Sequence, residues 1–171
     1  AETAAITPIY TASVREFQAA GRPVVGSAPV GVEGTAAWLQ AVGDACGTSQ
    51  KAIGDAKDRF LPAIKAGLEK HPINARITLS GYEGSELLVG RLLVESGADL
   101  RYIGTACPKT PWNLDDAAWL DAHGVRVQFR ASLEQDLAAP EGRAMFRLSA
   151  ALVGESWIAR INALPPPIDE I

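Results

Sequence analysis

Apolar residues occur along the chain either in short runs or at helical spacing, and the alternation of these two patterns predicts where strands and helices lie. Short, mostly apolar runs such as 75–81 (ARITLSG) and 100–107 (LRYIGTAC) are typical of buried strands. Between them, residues 82–99 place apolar positions at helical spacing up to Gly97, a common helix stop. Strand, helix and strand in this order predict a βαβ unit with parallel strands and a right-handed crossover.

The same alternation continues toward the C-terminus. A helix over 110–124 is followed by a third strand over 125–131. The next helix begins at Ser132, which has the spacing of a capping box with Gln135. Alternating strands and helices predict an α/β fold with a doubly wound, Rossmann-like parallel sheet flanked by helices.

The N-terminal third predicts helices joined by one short strand. Residues 13–21 favour a helix, and 22–29 (RPVVGSAP) favour a strand. A Gly-rich turn then leads to Thr35, which we expect to be the N-cap of the next helix. A long helix over 49–70 contains Pro62, which should kink or split it.

The C-terminal end predicts a different kind of structure. Residues 140–164 can form a helix that no clear strand follows, and the final PPPIDEI is typical of an acidic, polyproline-like tail. We therefore divide the chain into an α/β domain at 1–139 and a helical extension with a Pro-rich acidic tail at 140–171.

Composition and charge narrow the functional classes. The 171 residues are 47% hydrophobic and 21% charged, values typical of a globular domain. The net charge of −4 argues against sequence-independent nucleic-acid binding, which requires a basic surface. Because no apolar run reaches the ~18 residues of a membrane span and no signal peptide is visible, we expect a cytoplasmic location.

Cysteines and histidines form no complete catalytic or metal-binding set. Cys46 and Cys107 lie far apart without a CxxC motif, so we predict neither a metal site nor a disulfide. Both are expected to be small buried residues. His71 and His123 adjoin turn residues, which favours surface or capping roles. Catalytic residues stay unassigned, because no Ser–His–Asp set is present.

Three turns are candidates for a ligand site, because trailing loops of parallel strands meet at one edge of a sheet. Their sequences are SAPVGVEGT, SGYEGSE and GTACPKTPW. None matches a dinucleotide or phosphate-loop motif, and the same residues could be ordinary tight turns and helix caps. We expect their polar residues to share one rim. The candidate substrate or interface residues are Glu33, Thr35, Glu83, Ser85, Thr105 and Cys107.

The order and spacing of these turns resemble the nitrogenase component 1 family. In that family a Pro-[Ile/Val]-Gly turn leads through a Thr into a helix, and a later strand, Gly-containing turn and helix precede a strand ending near Gly-Thr. The segments GVEGTAAWL, SGYEGSELLVGRLL and RYIGTACPKT are most similar to the Y-type subunits of its chlorophyllide a reductase branch. The resemblance covers residues 24–138, and the segment PEGRAMF departs from it.

This resemblance implies a role in bacteriochlorophyll biosynthesis. Y-type and Z-type subunits would form the catalytic component, and an ATP-hydrolysing iron–sulfur X subunit would deliver electrons to it. A [4Fe-4S] cluster would pass these electrons to a tetrapyrrole and reduce the C7=C8 bond of its ring B. The family's cluster cysteines lie in a domain before the Pro-Val-Gly turn, so no ligand role passes to Cys46 or Cys107. We expect this chain alone to be inactive.

Two other functions stay open at this point. The chain could be a small-molecule-binding Rossmann-like module without a redox partner. It could also belong to another nitrogenase-like subunit, of a protochlorophyllide reductase or a cofactor-assembly scaffold. An absorbance change on adding chlorophyllide, or co-purification with a Z-type subunit, would favour the reductase.

Overall fold

Within the described residues, four parallel strands and the helices around them form an α/β fold. The computed structural model describes residues 3–4, 11–26, 28–81, 84–137 and 145–147. The elements in chain order are β1 (Thr3–Ala4), α1 (Thr11–Ala19), β2 (Val24–Val25), α2 (Gly31–Ala45), α3 (Gln50–Lys70), β3 (Arg76–Gly81), α4 (Glu86–Glu95), β4 (Asp99–Thr105), α5 (Leu114–Ala122), β5 (Arg126–Phe129), α6 (Leu133–Leu137) and β6 (Met145–Arg147).

The strand order of the central sheet is that of a doubly wound fold. Over the described strands the order is β5–β4–β3–β6, and every neighbouring pair is parallel. Strands β3, β4 and β5 add in one direction, and β6 then lies on the free side of β3. The predicted α/β class and the βαβ unit are therefore confirmed. Open sheets of this kind bind ligands beyond the carboxyl ends of their strands, where the order reverses.

The two faces of the sheet differ in chemistry. Because side chains alternate along a strand, Leu79 of β3 shares a face with its register partner Ile103 of β4. Helices α4 and α5 cover this face. Thr78, Ser80 and Tyr102 point to the other face and are buried as well. The core on the α4–α5 face consists of Ile73, Ile77, Leu79, Leu87, Leu93, Leu100, Ile103, Leu120 and Val125.

The N-terminal part contains a helical hairpin that packs on the helices of the sheet. Helices α2 and α3 contact each other, and Ile53 of α3 lies against Gly43 of α2, where a methyl group would come within 2.5 Å of the Ile53 side chain. Helix α2 also contacts α4. No helix in the part of the chain that the structure describes is long and apolar enough to cross a bilayer.

Several local predictions for the N-terminal part need correction. The strand predicted over 22–29 is limited to Val24–Val25, which pairs with β1. Helix α3 is not split at Pro62: it continues through this residue to Lys70. Thr35 is not an N-cap: α2 begins four residues earlier, and the Thr35 hydroxyl donates to the Gly31 carbonyl at 2.6 Å, within the helix. The positive φ of Gly31, 68°, permits this earlier start.

Strand β6 corrects the helix predicted from residue 140. Met145–Arg147 pair in parallel with 78–80 of β3 and form an edge of the described sheet. The predicted division at residue 139 leaves this strand outside the α/β domain. A strand of three residues is too short to show an alternating pattern, so its pairing with β3 decides its conformation. Residues 148–171, with the predicted tail, lie outside the described residues.

Helix termini agree with several predictions. The capping box is confirmed: the Gln135 N–H donates to the Ser132 hydroxyl at 3.2 Å, and the Ser132 N–H donates to the Gln135 side-chain oxygen at 2.9 Å. His71 and His123 are the C-caps of α3 and α5, as expected for residues beside turns.

Candidate functional site

A group of buried residues lies where β3 and β4 end. We call it the carboxyl-edge cluster. Its members are Ser80, Gly81, Glu86, Tyr102, Gly104, Thr105 and Asp136. The sheet register places Ser80 beside Gly104 and Gly81 beside Thr105, so each strand contributes one hydroxyl and one glycine to adjacent positions.

Glu86 lies on the face of the cluster that α4 covers. Its side chain is 3% exposed, and Oε2 accepts a hydrogen bond from the Thr105 hydroxyl at 2.8 Å. Oε1 accepts from the Gly84 N–H at 3.1 Å. A methyl group at Gly81 would come within 2.5 Å of Oε1. The carboxylate therefore lies directly on β3 while it is bonded to β4.

Asp136 occupies the opposite face and belongs to α6. It is 4% exposed, and its carboxylate accepts hydrogen bonds from the Ser80 hydroxyl and, at 2.7 Å, from the Tyr102 hydroxyl. A methyl group at Gly104 would overlap this carboxylate. Asp136 thus lies directly on β4 and is bonded both to Ser80 of β3 and to Tyr102 of β4.

These two carboxylates connect the same two strand ends from opposite faces. Each lies against a glycine of one strand and accepts a hydrogen bond from a hydroxyl of the other. Buried carboxylates need such donors, because burial without them is costly. The arrangement fixes the points at which the turn before α4 and the loop before α5 leave the sheet.

The loop after β4 is held by its own hydrogen bonds. The Ala106 N–H donates to the Gly81 carbonyl at 3.2 Å, and the Cys107 N–H donates to the Thr105 hydroxyl at 3.2 Å. Farther along, the Asn113 side chain accepts from the Thr110 N–H at 2.9 Å. These bonds give the loop a defined path away from the carboxyl-edge cluster.

Cys107 is a buried thiol in this loop. It is 5% exposed, as expected for a small apolar residue. Burial raises the pKa of the thiol above its ordinary value of 9.0; a hydrogen bond with Thr105 opposes the rise and the charge of Glu86 adds to it. The neutral thiol therefore predominates near neutral pH. Cys46, which we expected to be buried, is exposed at the C-terminal end of α2, where no packed element covers it.

The other residues predicted in the second turn have different outcomes. Ser85 is the N-cap residue of α4 and thus lies at the carboxyl edge, but its hydroxyl makes no capping hydrogen bond. The Glu86 carboxylate, and not Ser85, binds the Gly84 N–H in this turn. Glu83 lies outside the described residues.

Glu33 and Thr35 belong to a second polar group, which we call the α2 contact. Its members are Gly31, Val32, Glu33, Gly34, Thr35, Arg91, Glu95, Asp116 and Trp119. The N–H groups of Val32 and Glu33 donate to the Glu95 carboxylate, the latter at 3.3 Å. The Glu33 carboxylate accepts from the Trp119 indole N–H at 2.6 Å. Glu95 therefore accepts hydrogen bonds from backbone N–H groups in the first turn of α2. The apolar side chain of the N-cap residue Val30 cannot do this.

The α2 contact does not share a rim with the carboxyl-edge cluster. Helix α4 begins at the carboxyl end of β3 and ends before the start of β4, so Glu95, in its last turn, lies toward the amino edge of the sheet. Trp119 has the same relation to α5. Glu33 and Thr35 are thus placed away from Ser85 and Thr105, contrary to the expected common rim. The reason is that β2 pairs with β1 and not with the central sheet.

A buried ion pair stands at the centre of the α2 contact. Arg91 and Asp116 are 2.6 Å apart, and their side chains are 9% and 3% exposed. The Arg91 guanidinium also lies 4.7 Å from the centroid of the Trp119 ring. A methyl group at Gly34 would approach the guanidinium to 3.5 Å. The Gly-rich sequence before α2 therefore serves close packing of α2 on α4 and α5.

Sequence reasoning missed the residues that organise both groups. Arg91 and Glu95 read as the polar side of an amphipathic helix, and Asp136 lies in a helix of five residues without a distinctive pattern. Glu86 could have been found, because an acidic residue in the first turn of a helix after a strand marks the carboxyl edge. Only the folded chain brings Asp136 to the sheet.

The described residues contain no metal-binding group of three or more His, Cys, Asp or Glu side chains. The two cysteines do not fit an iron–sulfur cluster, which needs several thiolates around one site. Cys46 is exposed and follows α2, whereas Cys107 is buried beside Thr105. Both are free thiols and no disulfide joins them.

Comparisons with known proteins give a family and two relatives. A family model described as "Nitrogenase component 1 type Oxidoreductase" matches residues 2–160. A "Chlorophyllide reductase 52.5 kDa chain" from Cereibacter sphaeroides is 63% identical over 139 residues, and one from Rhodobacter capsulatus is 57% identical over 139 residues. Each match covers 81% of this chain and 28% of the relative, so the chain spans little more than a quarter of the curated relatives' length.

One solved structure, described as "Nitrogenase Cp1 at pH 6.5", is also similar. It is 15% identical with a TM-score of 0.49, and the match covers 77% of this chain and 30% of that chain.

Proposed function

The chain belongs to the nitrogenase component 1 type oxidoreductase family, and from this membership we propose that it forms part of the catalytic component of a chlorophyllide reductase. One observation carries the proposal: 63% identity over 139 residues to a chain that bears this name. The family match over 2–160 supports the oxidoreductase class independently.

The finer proposal concerns the reaction and its partners. The complex would reduce the C7=C8 bond of ring B in a chlorophyllide at the expense of ATP. A Z-type subunit would complete the catalytic component, and an iron–sulfur X subunit with bound ATP would supply electrons. When bound, a [4Fe-4S] cluster transfers electrons at low potential. Because Cys46 and Cys107 do not fit such a cluster, its ligands would come from other parts of the complex.

Within this proposal the chain's own contribution is a wall of the substrate pocket. The carboxyl edge of β3 and β4 adjoins the position where the strand order reverses, which is the usual ligand edge of a doubly wound sheet. Ser85, Thr105 and Cys107 lie there. Glu83 joins them as a prediction from its place in the sequence. For Glu33 and Thr35 we propose a packing role in the α2 contact.

A chimeric subunit tests the proposed function. The matching 139-residue segment of the Cereibacter sphaeroides chain is replaced with that of this chain, and the chimera is assembled with its partners and supplied with chlorophyllide and ATP. We expect chlorophyllide to be consumed, as followed by its absorbance, at a rate comparable to the unmodified subunit. A chimera that folds and assembles but consumes none would contradict the proposal.

The position of Glu83 gives a narrower test in the same complex. The substitution Glu83→Ala should leave folding unchanged and weaken substrate or partner binding. Binding equal to that of the unmodified chimera would show that this turn is structural only.

A further inference from the structure

We infer that Glu86 and Asp136 are positioning residues: two buried carboxylates that set the substrate-facing segments after β3 and β4 without touching the substrate. The inference rests on the proposed function for the identity of the substrate. It assigns roles to two residues that lie behind the rim. The segments concerned are 84–85, which leads into α4, and 106–113, which leads into α5.

The hydrogen bonds of Glu86 and Asp136 lie at the ends of the two strands. Glu86 binds the hydroxyl of Thr105, the last residue of β4, and also the N–H of Gly84, in the turn itself. Asp136 binds the hydroxyl of Ser80, next to the last residue of β3. Both carboxylates therefore act at the positions from which the two segments leave the sheet.

Each carboxylate contacts both strands. Glu86 lies on Gly81 of β3 and bonds to Thr105 of β4, whereas Asp136 lies on Gly104 of β4 and bonds to Ser80 of β3, in addition to its bond from Tyr102 of β4. Parallel pairing of the backbones already holds the two strand ends in register, with Gly81 beside Thr105. The two carboxylates add a side-chain contact on each face of this pair, at the positions from which the two segments leave the sheet.

Both carboxylates are buried at positions that apolar side chains could fill. Glu86 and Asp136 are 3% and 4% exposed, and apolar side chains of similar volume would fill the same space without a desolvation cost. Hydrogen-bonded carboxylates add direction, because each oxygen holds a hydroxyl or an N–H at a set angle and distance. Substrate orientation depends on such fixed geometry, and small displacements of a supporting group reduce the reaction rate.

The test measures turnover in the full-length subunit, assembled with its partners, for Asp136→Ala, Asp136→Asn and Glu134→Ala. We expect Asp136→Ala to lower kcat/KM about tenfold, mainly through kcat, since orientation in the transition state is lost. Asp136→Asn can still bond to both hydroxyls and should recover most of the loss. Glu134 is exposed on the same helix, so its substitution is the matched control and should change nothing.

Hydrogen exchange separates positioning from other effects. In Glu86→Ala and Asp136→Ala, the amides of Gly84 and Cys107 should exchange faster, while those of Leu79 and Ile103 in the strands stay protected. A folded Asp136→Ala with kcat/KM within about twofold of the unmodified complex would overturn the inference. A loss of activity without faster exchange in either segment would overturn it as well.

A milder pair of substitutions covers the case in which the alanine variants do not fold. Ser80→Ala removes one of the two hydroxyl donors to Asp136, and Thr105→Val removes the hydroxyl donor to Glu86. Each should lower kcat/KM about threefold and speed exchange in its segment, and no change in both would overturn the inference. If the unmodified complex does not consume chlorophyllide, the proposed function fails, whereas the exchange measurement still decides whether the two carboxylates position the segments.

Discussion

The turn before α2 and the turn before α4 contain the same kinds of residues, yet they lie toward opposite edges of the sheet. In each, a glycine lies against a carboxylate: Gly31 against Glu95 and Gly81 against Glu86. In each, that carboxylate accepts hydrogen bonds from N–H groups of the turn or of the first helical turn. The strand that precedes each turn makes the difference, because β3 belongs to the central sheet and β2 does not.

From this difference we expect the two regions to contribute differently to stability and to the proposed ligand binding. At the α2 contact, charged side chains connect three helices to one another, and the sheet is not involved. At the carboxyl-edge cluster, carboxylates connect the ends of two strands at the usual ligand edge. We therefore expect substitutions in the α2 contact to act on the free energy of unfolding and those in the carboxyl-edge cluster to act on substrate as well.

The largest expected effect is in the α2 contact. Asp116→Ala leaves the Arg91 guanidinium buried without its carboxylate, which should lower the free energy of unfolding by about 3–5 kcal/mol. Urea denaturation measures this change. The neighbouring Asp115 is exposed in the same first turn of α5, so Asp115→Ala is the matched control, with a loss of about 1 kcal/mol or less. Equal losses in both variants would contradict the described ion pair.

A second effect isolates the glycine in the turn before α2. Gly31 and Gly47 have nearly the same φ, 68° and 67°, but only Gly31 lies against another side chain, that of Glu95. Gly47→Ala should lower the free energy of unfolding by about 1 kcal/mol, because an alanine is strained at this positive φ. Gly31→Ala should cost about 2–3 kcal/mol, because the added methyl group also displaces Glu95. Thermal denaturation compares them, and equal costs would show that Glu95 does not hold this turn.

A smaller effect concerns the thiol in the loop after β4. Because burial raises the pKa of Cys107, the neutral thiol is favoured in the folded state. Its contribution to stability is complete below the thiol's ordinary pKa of 9.0 and is lost as pH rises through the raised value. The Cys107→Ala variant should therefore lose less stability than the unmodified chain as pH rises above 9.0, as measured by urea denaturation.

The two free thiols should also react at different rates. An aromatic disulfide reagent should modify the exposed Cys46 first, and equal rates would contradict the burial of Cys107.

The smallest effect is expected at the exposed start of β4. A hydrogen bond from Arg76 lowers the pKa of Asp99, and Arg101 adds to this against the opposite effect of partial burial. A lowered carboxyl pKa stabilises the fold above the ordinary value of 3.8, and this contribution is lost as pH falls through the lowered pKa. In Asp99→Asn, the free energy of unfolding measured by urea denaturation should fall slightly less steeply as the pH is lowered. The ion pairs are exposed, so a large change would be unexpected.

The sequence allowed good prediction of elements that carry their own periodic pattern. Strands β3, β4 and β5 and helices α4 and α5 have clear apolar spacing, and their alternation indicates the parallel sheet. Strand β6 could not be predicted in the same way, because three residues carry no period and depend on pairing with β3. The start of α2 was misjudged since Thr35 has the chemistry of an N-cap, while a distant carboxylate, Glu95, satisfies that helix end.

The candidate site was predicted only in part, for a similar reason. Ser85, Thr105 and Cys107 follow strands of the central sheet, so their place at one edge follows from the alternation alone. The residues that hold this edge, Glu86 and Asp136, come from different helices. Asp136 is 56 residues from Ser80 along the chain, and contacts over such separations depend on the complete fold.

The most direct test of this account compares the two regions in one assay. Thr105→Val removes a hydroxyl donor at the carboxyl-edge cluster, and Glu33→Gln removes the charge of a carboxylate at the α2 contact. Chlorophyllide binding to the assembled full-length complex is measured by absorbance titration for both. We expect Thr105→Val to weaken binding about threefold and Glu33→Gln to leave it unchanged. Weaker binding in Glu33→Gln with unchanged binding in Thr105→Val would contradict the assignment of the ligand edge.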